Sequence, residues 1–245
     1  MDIKENERID DLEYKGLKII QNKEGFCFGM DAVLLSDFAK ELKENSKVLD
    51  LGTGTGILGI LLCGKTKLSK IYGIEIQEEV AEMAKRSVKL NNLEEKFEIL
   101  NKDIKEIENI FEKLSMDVVI TNPPYKIKDT GIKNGKETKI LSRHETTANL
   151  EDFIKISAKL LKQYGEIYMV HRPERLVDIL SLLRKYKIEP KVLKMVYPKK
   201  DKSPNLILIK GIKGAKPFLN VEKPLIIYNE DNSYTQEVLK IYNKR

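Results

Sequence analysis

The side chains best suited to chemistry in this sequence lie in the tetrapeptide Asn122-Pro123-Pro124-Tyr125. The apolar run before it, residues 117–121, is typical of a buried parallel strand, and ligands of open α/β sheets bind outside the carboxyl ends of the strands. Two prolines fix two φ angles and remove two N–H donors. The Asn122 amide and the Pro123 carbonyl are therefore held stiffly as acceptors, beside the flat ring of Tyr125. Two acceptors and a stacking surface suit a planar group with an NH2, such as a nucleobase, whereas a rigid turn without a ligand is the alternative interpretation.

A second candidate site is the glycine-rich segment 50–56, Asp-Leu-Gly-Thr-Gly-Thr-Gly, between a predicted strand and a predicted helix. Gly52, Gly54 and Gly56 permit a tight turn and let a ligand approach the backbone closely. Glu75 ends the next predicted strand, about where a ribose-binding carboxylate is expected. The glycines together with this acid favour a nucleoside-bearing cofactor over a turn without a ligand.

Two further carboxylates bear on the identity of that cofactor. Residues 54–59 satisfy the G-x-G-x-x-G fingerprint of dinucleotide sites, so NAD(P) is one candidate. Asp50 would repel a pyrophosphate but can engage an ammonium group, directly or through water. Asp103, after the third strand, suits the exocyclic amine of an adenine. S-adenosylmethionine carries an ammonium, a ribose and an adenine, and it therefore matches these positions better.

Composition narrows the class of protein. The chain of 245 residues is 41% hydrophobic, which fits one large α/β domain, and no apolar run approaches the ~20 residues of a membrane span. Residues 1–11 lack the apolar segment of a secretory signal. Cys27, Cys63, His144 and His171 are too few and too dispersed for a zinc site. We expect a cytoplasmic protein without a bound metal.

Positive charge is concentrated in two segments of a chain whose net charge is +6. Residues 126–143 carry six basic side chains against two acidic ones, and residues 187–216 carry nine lysines against two acidic side chains. Individual lysines are usually solvated surface, but segregation of this size favours a polyanionic partner. The polar stretch 126–147 is long for a loop inside a compact domain, and we interpret it as functional.

Strands and helices alternate along the chain, which predicts an α/β fold with a mostly parallel sheet covered by helices on both faces. The last two strands have no helix between them and are expected to be antiparallel. The predicted strands are 47–51, 71–75, 97–100, 116–121, 165–170, 192–196 and 205–209, and the predicted helices are 30–42, 56–63, 78–90, 150–161 and 174–186.

In this order, the motifs resemble those of class I S-adenosylmethionine-dependent methyltransferases that act on amino nitrogens. Residues 26–35, the tripeptide Arg143-His144-Glu145 and the tail 213–228 are similar to the bacterial valine-tRNA adenine-N6 methyltransferases. The resemblance covers nearly the whole chain and implies methylation of an adenine N6 at tRNA position 37, in the anticodon stem-loop. It also implies that Phe26 and Asp31 line the cofactor pocket.

The resemblance implies a Rossmann-like fold with seven strands, the last antiparallel, and three segments of chain. An N-terminal extension of short strands and a helix (1–46) packs on a methyltransferase core (47–212), and a tail (213–245) belongs to the same domain. About 46 residues precede the core, so we expect neither the helical domain of release-factor glutamine methyltransferases nor the target-recognition domain of DNA adenine methyltransferases. A protein glutamine methyltransferase, a ribosomal RNA methyltransferase and a non-enzymatic RNA-binding module are the alternatives.

Within this interpretation, the Asn122 side-chain oxygen and the Pro123 carbonyl accept the two N–H bonds of the target amine, which is catalysis by positioning. Tyr125 stacks on the base, which must leave its neighbours to enter the pocket. His144 is expected either to touch the RNA or to lie on the surface, and His171 to be structural or a pocket wall. No obligatory protein partner is expected. The predicted RNA contacts are Arg143, His144, Lys199, Lys200 and Lys202.

Overall fold

The computed structural model describes residues 3–23, 29–125 and 148–244. Phe26 and the segment 126–147, with Arg143 and His144, lie outside the described residues, so the predictions made for them stay predictions. Among the helices that the structure describes, none is both long enough and apolar enough to cross a membrane.

The predicted helices and strands are present, with ends shifted by a few residues. In chain order the elements are β1 (Glu7–Asp11), β2 (Lys18–Asn22), α1 (Met30–Phe38), β3 (Lys47–Leu51), α2 (Ile57–Lys65), β4 (Lys70–Glu75), α3 (Glu78–Leu90), β5 (Phe97–Asn101), β6 (Met116–Thr121), α4 (Leu150–Leu160), β7 (Leu161–His171), α5 (Leu176–Lys185), β8 (Ile188–Tyr197), β9 (Leu206–Lys213), β10 (Asn220–Val221), β11 (Leu225–Ile226) and α6 (Gln236–Ile241).

The large sheet has the strand order β10-β8-β9-β7-β6-β3-β4-β5, with β11 also paired to β8. Strands β3 to β7 run parallel to their neighbours among themselves, whereas β9 is antiparallel to both β7 and β8. The predicted Rossmann-like fold with an antiparallel last strand is therefore confirmed. The tail adds two short strands, β10 and β11, which pair in parallel with β8. The described sheet therefore has nine strands instead of the predicted seven, because the tail extends its edge.

Alternate residues of the central strands face two separate hydrophobic cores, because side chains of a strand point to opposite faces in turn. Val48 packs in the core beneath α1, α2 and α3. Leu49, the next residue, packs in the core beneath α4 and α5. Helices thus cover both faces of the sheet, as predicted. By the same alternation, Asp50 lies on the face of Val48 and is fully buried there.

Helix α1 is shorter than the predicted helix 30–42. It ends at Phe38, and Ala39 is its C-cap. Leu42 is nevertheless buried, at 8% exposure, in the connection that leads to β3. The apolar spacing therefore identified buried side chains correctly, but it did not fix where the helix ends.

The N-terminal hairpin is joined to α3 by a buried ion pair. Strands β1 and β2 pair in antiparallel fashion, and the Arg86 guanidinium of α3 donates to both carboxylate oxygens of Glu7 in β1, each at 2.6 Å. The Glu7 side chain is only 2% exposed, and its pKa is lowered by the hydrogen bonds from Arg86. The division into the segments 1–46, 47–212 and 213–245 stays a prediction.

Replacing Arg86 by Met should lower the free energy of unfolding by about 3 kcal/mol, because a buried carboxylate then loses its partner. Because the pKa of Glu7 is lowered in the folded protein, its contribution is present at neutral pH and is lost as the pH falls below 4.5, its ordinary pKa. Urea denaturation at pH 7 and pH 4 measures both effects.

The matched control for this prediction is Arg8→Met, which removes an arginine from an exposed ion pair with Asp10. An exposed pair of this kind contributes about 0–1 kcal/mol. Equal losses of stability for Arg86→Met and Arg8→Met would contradict the proposed importance of the buried pair.

Candidate active site

Strand register brings the predicted site residues to one edge of the sheet. Leu51 of β3 pairs with Ile74 of β4 on one side and with Thr121 of β6 on the other. Neighbouring strands lie about 4.8 Å apart, so the residues that follow these three are close neighbours at the carboxyl ends of the strands. They are Gly52, Glu75 and Asn122.

The glycine loop after β3 has the backbone conformation that its sequence predicts. Gly52, Gly54 and Gly56 have φ angles of +72°, +57° and +89°, which place them in the left-handed region that favours glycine. A Cβ atom added at Gly54 would meet none of the described residues within 4 Å, whereas one at Gly52 or Gly56 would contact a phenylalanine ring. Within the described part of the chain, the backbone at Gly54 is therefore the point of the loop that a ligand can approach closely.

Glu75 holds the glycine loop in place. Its two carboxylate oxygens accept hydrogen bonds from the backbone N–H groups of Gly54, at 3.0 Å, and Gln77, at 2.9 Å. Glu75 thus has a structural role at the end of β4, and its predicted role in binding a ribose stays a prediction.

Asp50 has a buried carboxylate oxygen that is only half satisfied by the protein. The Thr53 hydroxyl donates to its Oδ2 at 2.6 Å, whereas its Oδ1 has no hydrogen-bond partner within the part of the chain that the structure describes. Burial, with the nearby charge of Glu75, raises the pKa of Asp50 to about 7. A buried carboxylate oxygen without a partner is suited to a cationic group of a ligand, as the sequence predicted.

The ends of β4 and β5 place both polar and apolar side chains beside the glycine loop. The Asn101 side chain donates to the carbonyls of Glu75 and Ile76, at 2.9 Å and 3.0 Å, and so ties the end of β5 to the end of β4. Asp103 follows two residues later and accepts a bond from the Lys105 N–H at 2.9 Å. Ile76 is 39% exposed, which gives this edge an apolar surface. Ile76 is not among the predicted site residues, although an apolar residue directly after the strand-terminal acid is a signal that the sequence carries.

Tyr125 folds back onto the start of its own tetrapeptide. Its hydroxyl oxygen lies 2.8 Å from Asn122 Oδ1 and 2.6 Å from Oδ2 of Asp31, a residue of α1. Burial and the negative charge of Asp31 raise the pKa of the Tyr125 hydroxyl, which stays protonated. Pro123 is buried and Pro124 is exposed. The structure thus brings Asp31 to the tyrosine of the tetrapeptide, and its predicted role in the cofactor pocket stays a prediction.

Two residues at the end of β7 surround the Tyr125 ring. The His171 ring lies 5.0 Å from it at an angle of 52°, and the Arg172 guanidinium lies over it at 5.1 Å. Burial lowers the pKa of His171 to about 4. Its Nδ1 accepts from the Arg172 N–H, so Nε2 carries the proton and lacks a partner among the described residues. His171 is therefore a neutral wall of the site, and Arg172 is a contact that the sequence analysis missed.

The predicted lysine contacts lie in the loop between β8 and β9, at the same edge of the sheet. Arg172 donates to the Asn205 carbonyl in this loop at 3.1 Å, which joins the loop to the surroundings of Tyr125. Lys200 and Lys202 are exposed, and Lys202 lies 3.6 Å from the equally exposed Asp201. Lys199 donates to the Glu230 carbonyl of the tail at 3.2 Å.

Among the residues that the structure describes, no group of three or more histidine, cysteine, aspartate or glutamate side chains is arranged to hold a metal ion. The features gathered at this edge are a glycine loop, strand-terminal carboxylates and an amide beside an aromatic ring. A parallel sheet that presents such groups at its carboxyl ends is typical of enzymes that bind nucleoside cofactors.

The chain belongs to the methyltransferase small domain family, which matches residues 29–186. It is similar, at 24% identity over 237 residues, to a protein of Tolumonas auensis named tRNA1(Val) (adenine(37)-N6)-methyltransferase, with 93% of each chain covered. Further relatives at 25% to 28% identity carry the same name. The predicted class of enzyme and the predicted resemblance are confirmed.

Solved structures agree on the fold. A predicted O-methyltransferase of Agrobacterium tumefaciens is similar with a TM-score of 0.69 and 21% identity, over 87% of this chain and 96% of that one. TYW2 of M. jannaschii, solved in complex with AdoMet, is similar with a TM-score of 0.60 and 17% identity, over 86% of this chain and 88% of that one.

Replacing Asp50 by Asn should change how the stability of the ligand-free protein depends on pH. The folded-state pKa of Asp50 is raised from 3.8 to about 7, so wild-type stability falls as the pH rises through this interval and the loss levels off above it. The variant lacks this titration, so its Tm relative to wild type should rise by about 10 °C between pH 4 and pH 7. The scale follows because one pKa unit is worth 1.36 kcal/mol and about 1 kcal/mol shifts Tm by about 2–4 °C.

Differential scanning calorimetry at pH 4, 5.5, 7 and 8.5 measures the difference in Tm. A difference that stays constant across this range would mean that the Asp50 carboxylate is already compensated in the folded protein.

Proposed function

We propose that this protein is an S-adenosylmethionine-dependent methyltransferase that methylates the N6 amine of adenine 37 in the anticodon stem-loop of valine tRNA, in the cytoplasm. One observation carries the proposal. The tetrapeptide 122–125 follows β6 directly beside the glycine loop that follows β3, in a chain whose relatives are named for this reaction.

The cofactor is supported by the residues around the glycine loop. Among the described residues, Oδ1 of Asp50 has no partner and fits the ammonium group, and the space beside Gly54 admits the ligand. Glu75 holds the loop at Gly54 and places a carboxylate beside it for the ribose. Asp103 and the exposed Ile76 suit the polar edge and the apolar face of an adenine. The family match and the neighbour solved with AdoMet bear out the predicted cofactor over NAD(P). When bound, S-adenosylmethionine supplies an electrophilic methyl group.

The tetrapeptide supplies what an adenine amine needs. The N6 lone pair is delocalised into the ring, so the amine is a weak nucleophile and must be held while it pyramidalises. Asn122 Oδ1 and the Pro123 carbonyl accept its two N–H bonds, which stabilises the pyramidal form by positioning. Tyr125 provides a stacking surface, and since Arg172 covers one face of its ring, the base uses the other face or displaces the guanidinium.

Positive charge at the same edge supports RNA rather than a peptide as the substrate. The loop between β8 and β9 carries Lys199, Lys200 and Lys202, and Arg172 joins this loop to the tyrosine. A phosphate backbone is attracted by such a cluster, whereas the glutamine side chain of a protein loop does not require it. The names of the relatives favour tRNA in the same way.

The proposed activity is tested by nucleoside mass spectrometry. Purified protein with S-adenosylmethionine should convert one adenosine of unmodified valine tRNA to N6-methyladenosine, and total tRNA from a deletion strain should lack that nucleoside at position 37. The Asn122→Ala variant should be slowed at least ~100-fold in single-turnover assays, by analogy with the loss of one preorganised hydrogen-bonding group.

Calorimetry provides the control for Asn122→Ala. Its affinity for S-adenosylmethionine should match that of the wild type, because Asp50, Glu75 and Asp103 are unchanged. Near-normal methylation by this variant would mean that the tetrapeptide is only a rigid turn. Methylation of a release-factor glutamine, with no activity on tRNA, would replace the proposed substrate.

Replacing Lys200 and Lys202 together by Gln should weaken tRNA binding and reduce the slope of log K against log salt by about 1 to 2, because each lost phosphate contact releases one counterion fewer. Filter binding between 50 and 200 mM salt measures the slope. The matched control replaces Lys43 and Lys113, two exposed lysines before β3 and β6 at the opposite edge of the sheet. Equal slopes for both double variants would mean that Lys200 and Lys202 are ordinary solvated lysines that contact no phosphate.

A further inference from the structure

The Tyr125 hydroxyl faces two acceptors but has one proton to give. Its oxygen lies 2.6 Å from Asp31 Oδ2 and 2.8 Å from Asn122 Oδ1. A tyrosine hydroxyl carries a single hydrogen, so it can donate a full hydrogen bond to only one of these oxygens at a time. The two oxygens therefore compete for the proton.

The carboxylate is the stronger competitor. A hydrogen bond to an ionised acceptor is shorter and roughly twice as strong as one to a neutral acceptor, and the shorter of the two distances is the one to Asp31. The hydroxyl itself does not ionise in the physiological range, because burial and Asp31 raise its pKa. The proton is thus always present and is drawn toward Asp31.

Whether the Tyr125 proton is donated to Asp31 or to Asn122 decides how much acceptor capacity Asn122 Oδ1 keeps. Asn122 Oδ1 is the atom proposed to hold the target amine, and a hydroxyl that donates to it would take up part of its acceptor capacity and fix the rotation of the amide plane. We infer that Asp31 is a positioning residue: by taking the single proton of the Tyr125 hydroxyl, it keeps the side-chain oxygen of Asn122 available for the target amine.

This role differs from the cofactor role that sequence resemblance implied for Asp31. Asp31 lies in the first turn of α1, and its side chain reaches a tyrosine 94 residues further along the chain. In the cofactor role, losing the carboxylate weakens S-adenosylmethionine binding whether or not Tyr125 has a hydroxyl. In the positioning role, the loss has an effect only when the hydroxyl is present.

A double-mutant cycle separates the two roles, and it rests on the proposed function. Asp31→Ala should slow single-turnover methylation of valine tRNA about tenfold in the wild-type background, because the hydroxyl then donates to Asn122. In the Tyr125→Phe background the same change should cause no further loss, because no hydroxyl remains to redirect. Affinity for S-adenosylmethionine, measured by calorimetry, should be unchanged by Asp31→Ala in both backgrounds.

Glu174→Ala is the matched control, because it removes an exposed negative charge near His171 without touching the hydroxyl. It should not reproduce the tenfold loss. If Asp31→Ala folds poorly, Asp31→Asn keeps the shape of the side chain, and its weaker neutral acceptor should give a smaller loss in the same direction. Equal losses from Asp31→Ala in both backgrounds, or a loss of cofactor affinity, would overturn the inference.

A substrate-free measurement keeps the inference testable if the proposed function fails. In ¹⁵N-labelled protein, the side-chain NH2 signals of Asn122 are identified by their absence in Asn122→Ala. Asp31→Ala should shift these signals in the wild-type background and leave them in place in Tyr125→Phe. Absence of tRNA methylation by the wild type would refute the proposed function alone, whereas unmoved Asn122 signals in Asp31→Ala would refute the inference alone.

Discussion

Leu51 lies between Ile74 and Thr121 in the parallel sheet, and this register is the constraint on which the site depends. It sets the glycine loop, Glu75 and Asn122 side by side at the carboxyl ends of three strands. A slip of one residue in either pairing would exchange the two faces of a strand and move its side chains out of the core that they fit and into the opposite one. Because both faces of the sheet are covered by packed helices, such a slip is strongly disfavoured. Packing in the two hydrophobic cores therefore fixes the strand register, and the register fixes the positions of the site residues.

The same edge holds polar atoms that the fold leaves without partners. Asp50 Oδ1 and His171 Nε2 are buried and unpartnered among the described residues, although buried polar groups in folded proteins are nearly always paired. Burial of apolar side chains in the two hydrophobic cores offsets their cost. Local departures from the rules of stability are expected where a ligand binds, and both departures here lie beside the proposed cofactor and base pockets.

Different interactions operate in the two parts of the site, the glycine loop after β3 and the tetrapeptide after β6. Around Asp50 and Gly54, the proposed cofactor binding depends on charge and on close approach to the backbone. Around Tyr125, the amide oxygen of Asn122 and the carboxylate of Asp31 compete for the single proton of the hydroxyl. Arg172 links the tyrosine ring to the lysine-bearing loop. In the proposed function, the lysines that attract RNA are therefore separate from the neutral acceptors that hold the amine.

The sequence by itself determined the elements and their order, because apolar periodicity, glycine spacing and strand-terminal acids are local signals. It predicted the strand ends at Leu51 and Thr121 and the antiparallel final strand. It did not fix the end of α1, since Leu42 is buried without being helical. Only the tertiary structure brought Asp31 to Tyr125 and placed Arg172 over its ring. Those contacts join side chains from separate elements, whose meeting depends on how the helices and strands pack and not on any local pattern in the chain.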